Sequence, residues 1–285
     1  MRHTRQNIIA IVFDFDDTLA PDSTTAFLTH QGVDVPRFWR RQVDPLLADE
    51  WDPIPAYLFA MLEVSGARPD APITRDSLTR WGRRQRFYPG VPQVFNRIRK
   101  HVAAVNPDAE VEFYIISSGI GDLIRSTRIA PQFSEIWACD FSYDPAGRIQ
   151  FPKKVVSFTD KTRHLFQIAK GLVGPDFRSK PFEVNKKVSG EDIRIPFNQT
   201  VVVGDGYTDV PCFSMIRKNG GIAIGVFDRG NREKWGRAWG FIEDGRVSNL
   251  VPADYRKNSA LDISLCMAAE NIARKIALRD QTYQG

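Results

Sequence analysis

The stretch "IIAIVFDFDDTLAPDST", residues 8–24, sets the reading of the whole chain. Its first six residues are apolar and rich in β-branched side chains, the composition of a strand buried on both faces of a parallel sheet. Three carboxylates, Asp14, Asp16 and Asp17, follow at once. Two carboxylates held about 4 Å apart repel by roughly 4 kcal/mol at an effective dielectric near 20, so such a cluster at the mouth of a core calls for a cation.

Working outward, runs of the same kind recur at "VEFYIIS" (111–117), "EIWACDF" (135–141), "TVVVGD" (200–205) and "GIAIGV" (221–226). Helical patterns alternate with them at 91–105, 122–130, 161–172 and 209–219, the last with Pro211 near its start and Gly220 just past its end. The alternation predicts an α/β fold, a doubly wound parallel sheet with its site at the carboxyl ends of the strands. Residues 20–87 break the rhythm. They hold helical, aromatic-bearing segments and no comparable strand, which predicts a smaller helical domain inserted into a core formed by residues 1–19 and 88–285. "FYPGVPQ" (87–93) reads as the hinge back to the sheet, and "DFSYDPAGRIQFPKK" (140–154) as a β-hairpin turned at Pro145 to Gly147. Residues 173–199 are a polar excursion of loop or short helix, and "SALDISLCMAAENIARKIAL" (259–278) a closing amphipathic helix.

Composition narrows the partners. The 285 residues are 42% hydrophobic, enough for a substantial core, and carry a formal charge of +5 with pI ≈ 9.1. The charges are interspersed rather than blocked, a balance that favours anionic ligands mildly and predicts no nucleic-acid partner. Three distant cysteines, Cys139, Cys212 and Cys266, fit neither a disulfide framework nor a zinc cluster and point to a reducing cytoplasm. The apolar run after the basic head "MRHTRQN" is cut short by Asp14 and Asp16, so no signal peptide is expected, and no later run suggests a membrane span.

In a parallel sheet the polar residues that end successive strands converge: Asp14 and Asp16, Ser117 and Ser118, and Asp205, with Asp209 one turn further on. Hard oxygen ligands with room for water and substrate suit Mg²⁺. Lys161, opening a helix, can offset the remaining charge, with Lys153 and Lys154 as rivals.

At these positions the sequence resembles the haloacid dehalogenase (HAD) superfamily. "DFDDT" (14–18) is similar to its DxDxT signature, "YIISSG" (114–119) to its second motif, Lys161 in "FTDKTRHLFQ" to its third and "GDGYTD" (204–209) to its GDxxxD motif. By position and composition, residues 20–87 resemble the family's C1-type helical cap. The resemblance implies a phosphatase. Asp14 would be the nucleophile that forms an aspartyl-phosphate, and Asp16 would protonate the leaving oxygen and then activate water. Ser117, which stands two residues before Gly119, would bind the phosphoryl group. Thr18, Ser118 and Gly119 would also belong to the substrate site, and Lys161 would neutralise Asp14 and the phosphoryl group. Mg²⁺ would be held by Asp14, Asp16 and Asp205, with Asp209 orienting the lysine or a metal water. An aspartate at position 16 favours phosphatase or phosphomutase chemistry over carbon–halogen cleavage. The expected activity is hydrolysis of a small phosphomonoester metabolite. The alternatives are transfer of the phosphoryl group to a hydroxyl other than water, or a non-catalytic phosphate-sensing module.

Three further expectations concern neighbours of the site. His164 is read as a surface helix residue, and Tyr207 as touching either substrate or its own loop. Lysine is absent between residues 20 and 87 while arginine clusters in "RFWRR" (37–41) and "RWGRRQR" (80–86), either as a solvated face or as a grip on a second anionic group. Phosphoserine phosphatases usually carry glutamate nine residues after the nucleophile, where this chain has Ser23 beside Asp22. That departure lowers the expectation of phosphoserine as substrate.

Overall fold

Ile8–Phe13 forms β1, buried along its entire length, as a central parallel strand must be. The computed structural model describes residues 6–230 and 245–282. The outer ends of the expected core segment, 1–5 and 283–285, and its stretch 231–244, lie outside the described residues. Among the described residues β1 is flanked by β2 (Glu110–Ile120) and β5 (Thr200–Gly204), and the sheet continues through β3 (Phe133–Tyr143), β4 (Ile149–Lys154), β6 (Ile222–Phe227) and β7 (Asn249–Pro252). The order is β4-β3-β2-β1-β5-β6-β7, parallel throughout except for the β3–β4 hairpin. The fold class expected from the sequence is the one observed.

Register aligns the chemistry. Phe13 pairs with Ile115 on one side and Val203 on the other, so Asp14, one residue further, and Ser117 and Asp205, two residues further, come to the same end of the central strands. The Asp14 amide still donates to the Val203 carbonyl at 2.9 Å, which holds the nucleophile candidate at the strand tip.

Residues 20–87 carry helices α1 (Ser23–His30), α2 (Val35–Phe38), α3 (Asp44–Ala48), α4 (Pro53–Gly66) and α5 (Arg75–Arg83), with a π-helical turn at Trp39–Val43. They share one continuous apolar core with the sheet. Helix α6 (Val91–Val105) begins after Gly90 and packs against β2 through Phe95, which meets Phe113 edge-on at 5.0 Å between ring centres. Helix α7 (Gly121–Arg125) follows β2. It stops short of the expected 122–130 because the Ser126 and Thr127 hydroxyls donate back to the carbonyls of Asp122 and Ile124. Helix α8 (Phe158–Lys170) carries Lys161 on its inner face, and α9 (Pro175–Arg178) opens the polar excursion. Helix α10 (Val210–Lys218) follows β5, with Pro211 in its first turn. The C-terminal helix Ala260–Thr282 closes against α6, where Arg97 pairs with Asp262 at 2.8 Å.

Candidate active site

Four chain segments meet at the carboxyl edge of the sheet around a cavity of about 340 Å³. Asp14, Asp16, Ser117, Ser118, Gly119 and Asp205 all line it. At its base Lys161 is buried and donates to Asp14 Oδ2 at 2.7 Å, Asp209 Oδ1 at 2.7 Å and Thr208 Oγ1 at 3.1 Å. Burial works against the ammonium, but Asp14 and Asp209 outweigh it and hold its pKa above the ordinary lysine value. Lys153 and Lys154 are excluded as rivals by position, since both line a different cavity.

Asp205 is left without such compensation. Oxygens of Asp14, Asp205 and Asp209 lie within 4.8 Å of one another, while Lys161 donates only to the first and third. Burial, then repulsion from Asp14, Asp209 and Asp17, pushes the Asp205 pKa well above the carboxylate range. Its neutral partner is Thr18, whose hydroxyl donates to Asp205 Oδ1 at 3.4 Å. Three close oxygen donors with one of them uncompensated fit a hard divalent cation such as Mg²⁺. Thr18 itself is fully buried behind Asp205 rather than on the cavity wall, and its carbonyl accepts from the Tyr255 hydroxyl at 2.9 Å. The expectation that Thr18 meets substrate gives way to a bracing role.

Asp16 stands apart from the cation cluster. Its Oδ1 accepts from the Ser23 amide at 2.7 Å. Burial, then Asp22 and Asp14, raises its pKa to about 8. The chain can approach this carboxyl closely only because residue 119 is glycine: a Cβ there would lie 2.5 Å from Asp16 Oδ2. Gly204 does the same for Asp209, whose Oδ2 would be 2.4 Å from an added Cβ.

The two serines divide. The Ser118 hydroxyl is committed to the Val156 carbonyl at 2.8 Å. Ser117 is buried, and its Oγ accepts from the Gly119 amide at 3.1 Å, which leaves its proton free for an anion in the cavity. Tyr57 Oη donates to the Ser118 carbonyl at 2.6 Å and ties α4 to the tip of β2.

One expectation is corrected, and one open alternative is narrowed. His164 is buried rather than on the surface: three residues from Lys161, it shares the inner face of α8, stacks on Trp137 at 4.9 Å and bonds Gln167 through Nδ1 at 2.6 Å. None of the arginines between residues 20 and 87 lines the cavity. Arg80 pairs with Asp76 across an exposed helix face, Arg75 lies over the Tyr143 ring, and Arg40 Nε donates to the Pro36 carbonyl. Tyr207 is 63% exposed and likewise stands off the cavity wall. What the sequence reading missed is the wall contributed by residues 20–87: Trp39, Pro53, Ile54 and Tyr57, with Thr24; Asp22, singled out in the sequence as the neighbour of Ser23, joins them. The aromatic content of that segment was the available signal, but spacing alone could not tell which rings face the site.

No family model matches the sequence. An uncharacterized protein of Borreliella burgdorferi is 28% identical over 90% of this chain and 95% of its own length. A HAD-family hydrolase from Salmonella enterica serovar Typhi superposes with a TM-score of 0.60 at 12% identity, covering 92% of this chain and 71% of its own. A probable phosphoserine phosphatase from Vibrio cholerae gives 0.55 at 13% identity, over 94% of this chain and 66% of its own. A phospho-aspartyl intermediate analogue of phosphoserine phosphatase gives 0.51 at 13% identity, over 85% and 92%. In fold, therefore, this chain is HAD-like and resembles the phosphoserine phosphatases.

Proposed function

We propose that this chain is a HAD-superfamily phosphomonoester hydrolase that works through an aspartyl-phosphate on Asp14. The observation that carries the reading is the Lys161 bridge between Asp14 and Asp209, with Asp205 close by and uncompensated. Asp205, placed beside Asp14 and Asp209 and outside the lysine's bonds, adds repulsion that a bound cation would relieve.

Asp14 Oδ1 accepts its neighbour's amide, Phe15 N, at 2.6 Å, and Oδ2 accepts from Lys161. These bonds orient the carboxylate for attack on phosphorus and spread its charge. Ser117 donates to a phosphoryl oxygen, and Lys161 neutralises charge as it builds up. Asp16 passes its proton to the leaving oxygen and then takes one from the water that hydrolyses the acyl-phosphate. Asp14 and Asp205, with the Asp16 carbonyl, would hold Mg²⁺, and Asp209 would steady the arrangement through Lys161. Once bound, the ion supplies Lewis-acid polarisation of the phosphoryl group and screens the nucleophile from it. Residues 20–87 serve as the helical cap on a core of 1–19 and 88–285. The setting is the cytoplasm, in keeping with three unpaired, buried cysteines and, among the described residues, no helix long and apolar enough to cross a membrane.

Phosphate release from p-nitrophenyl phosphate with Mg²⁺ tests the reading. Asp14→Asn should fall to background and Asp16→Asn by about 100-fold or more. Turnover retained in Asp14→Asn would overturn the covalent route. Added alcohols that capture phosphate in place of water would redefine the enzyme as a transferase.

A further inference from the structure

We infer that the protein carries a second ligand site, a cavity between α8 and the β3–β4 hairpin that binds a small phosphate-bearing anion. It measures about 640 Å³, within the range of pockets that hold a metabolite. It shares no lining residue with the acidic cavity around Asp14.

Two of its basic residues are already occupied. Arg125 pairs with Asp140, and Arg178 with Glu135 at 3.1 Å. Those two acids are the only carboxylates on the wall among the described residues. Three cations remain. Lys153 and Lys154, neighbours on β4, make no ion pair among the described residues. Arg163 Nε is buried 3.4 Å from Asp160 Oδ1, yet it makes no hydrogen bond among the described residues. An unpaired, partly buried ammonium such as Lys154 is unfavourable for folding alone, and local conflicts of this kind are expected where a ligand is to be held.

His164 supplies an independent observation. Its Nδ1 meets Gln167 Oε1 at 2.6 Å, whereas its Nε2 is buried without a hydrogen-bond partner among the described residues. A buried nitrogen left so costs free energy that a ligand in the cavity can recover. With Gln167 Oε1 accepting, Nδ1 carries the proton and Nε2 offers a lone pair. Phosphate suits both kinds of partner: its ionised oxygens accept from lysine and arginine, and its P–OH donates to the ring. A carboxylate of equal charge has no such donor. The imidazole is held ready, because it stacks on Trp137, which in turn stacks on Tyr114.

Burial, with neighbouring cations adding to it, lowers the proton affinity of Lys154 and His164 alike. An anion among them opposes the second cause, so both groups hold positive charge more firmly once it arrives. Leu172, Phe177 and Pro181 line the same cavity and offer apolar surface to a carbon skeleton attached to the phosphate.

The test is isothermal titration calorimetry in metal-free buffer, with inorganic pyrophosphate as the probe and inorganic phosphate, ADP and citrate beside it. Wild-type protein should bind pyrophosphate saturably, more weakly as salt is raised, and about tenfold or more tightly than citrate. Ser117→Ala, which alters the acidic cavity, should bind as the wild type does. Lys154→Met and Arg163→Gln should each weaken binding about tenfold, and His164→Phe, which keeps a ring against Trp137, several-fold. Urea melts establish that each variant is folded. ADP binding more tightly than pyrophosphate and phosphate would identify the ligand as a phosphorylated metabolite, and the reverse order as a free phosphate anion; either supports the site. Absence of saturable binding, equal binding of citrate, or binding lost in Ser117→Ala and kept in the three cavity variants overturns it. The phosphatase reading is decided separately, by turnover at Asp14.

Discussion

Lys161 and Lys154 sit on opposite sides of one electrostatic divide. Burial disfavours the ammonium of each. Lys161 overcomes it through two carboxylates at 2.7 Å, and its pKa rises. Lys154 is disfavoured first by burial, receives help from Asp140 and Glu135, is opposed by Arg125 and Arg163, and its pKa falls. The surroundings differ in the same sense. Lys154 lines a cavity of about 640 Å³ with Lys153, Arg125, Arg163 and Arg178, whereas the acidic cavity above Lys161 measures about 340 Å³. In the larger one the acids are locally spent, Asp140 on Arg125 and Glu135 on Arg178. Volume therefore does not locate the chemistry. What separates the two cavities is the sign and balance of the charge that lines them.

The sharpest way to break this comparison is to remove each ammonium. Lys161→Met should leave Asp14 and Asp209 buried and facing one another, at a cost of about 3–5 kcal/mol of stability, and should abolish turnover. Lys154→Met should change stability by about 1 kcal/mol or less, or raise it, because an ammonium without a hydrogen-bonded carboxylate is replaced by an apolar chain of similar length. Urea melts of the two variants beside the wild type read both effects. Equal losses would mean that the two lysines do the same structural work.

Next in size is the response to Mg²⁺. An ion bound only by the folded state should stabilise the protein by about 2.7 kcal/mol when present at 100 times its Kd. Asp205→Asn should lose most of that gain, and Asp140→Asn, in the cation-rich cavity, should keep it. Thermal melts across a Mg²⁺ titration need no turnover to report this. A gain that survives Asp205→Asn would place the ion elsewhere.

How much of this was legible in the sequence follows from how local each cause is. The apolar run of β1 and the carboxylates after it are contiguous, so strand, tip and charge cluster could be read together. Lys161 could be singled out, but its choice over Lys154 needed the inner face of α8. Strand β7 escaped notice because its four residues are only partly buried and carry little pattern. The excursion at 173–199 was opaque for a different reason. Its backbone is satisfied by distant groups: the amides of Arg194 and Ile195 donate to the Ala169 carbonyl, Gln6 Nε2 donates to the carbonyls of Gly190 and Ile193, and Arg194 pairs with Glu112 at 2.5 Å. Gly174, Phe177 and Arg178 then complete the wall of the larger cavity. No periodicity within the segment encodes partners that far away. The arginine clusters stayed open between two readings for the same reason, since a charge run shows its composition but not the face it presents.

The smallest effect concerns His164, which lies in the wall of the cation-rich cavity. Burial pushes its pKa down to about 3, its bond to Gln167 acts the other way, and Arg163 and Lys154 reinforce the depression. An unfolded chain binds this proton near pH 6.5, so below that value the unfolded state gains protons that the folded state refuses. Stability contributed by the neutral ring is complete above about pH 6.5 and drains away as the pH falls toward 3, by at most about 1.4 kcal/mol per pH unit. His164→Phe keeps a ring against Trp137 and removes the proton. Between pH 6.5 and 5 its stability curve should fall less steeply than that of the wild type, the difference between the two shifting by about 1.6 kcal/mol in the variant's favour. Parallel curves would show that neither burial nor the neighbouring cations depress His164, and the contrast between the two cavities would then rest on the lysines alone. A flatter curve ties His164 and Lys154 to one main cause, burial in the wall of the larger cavity, to which the neighbouring cations add.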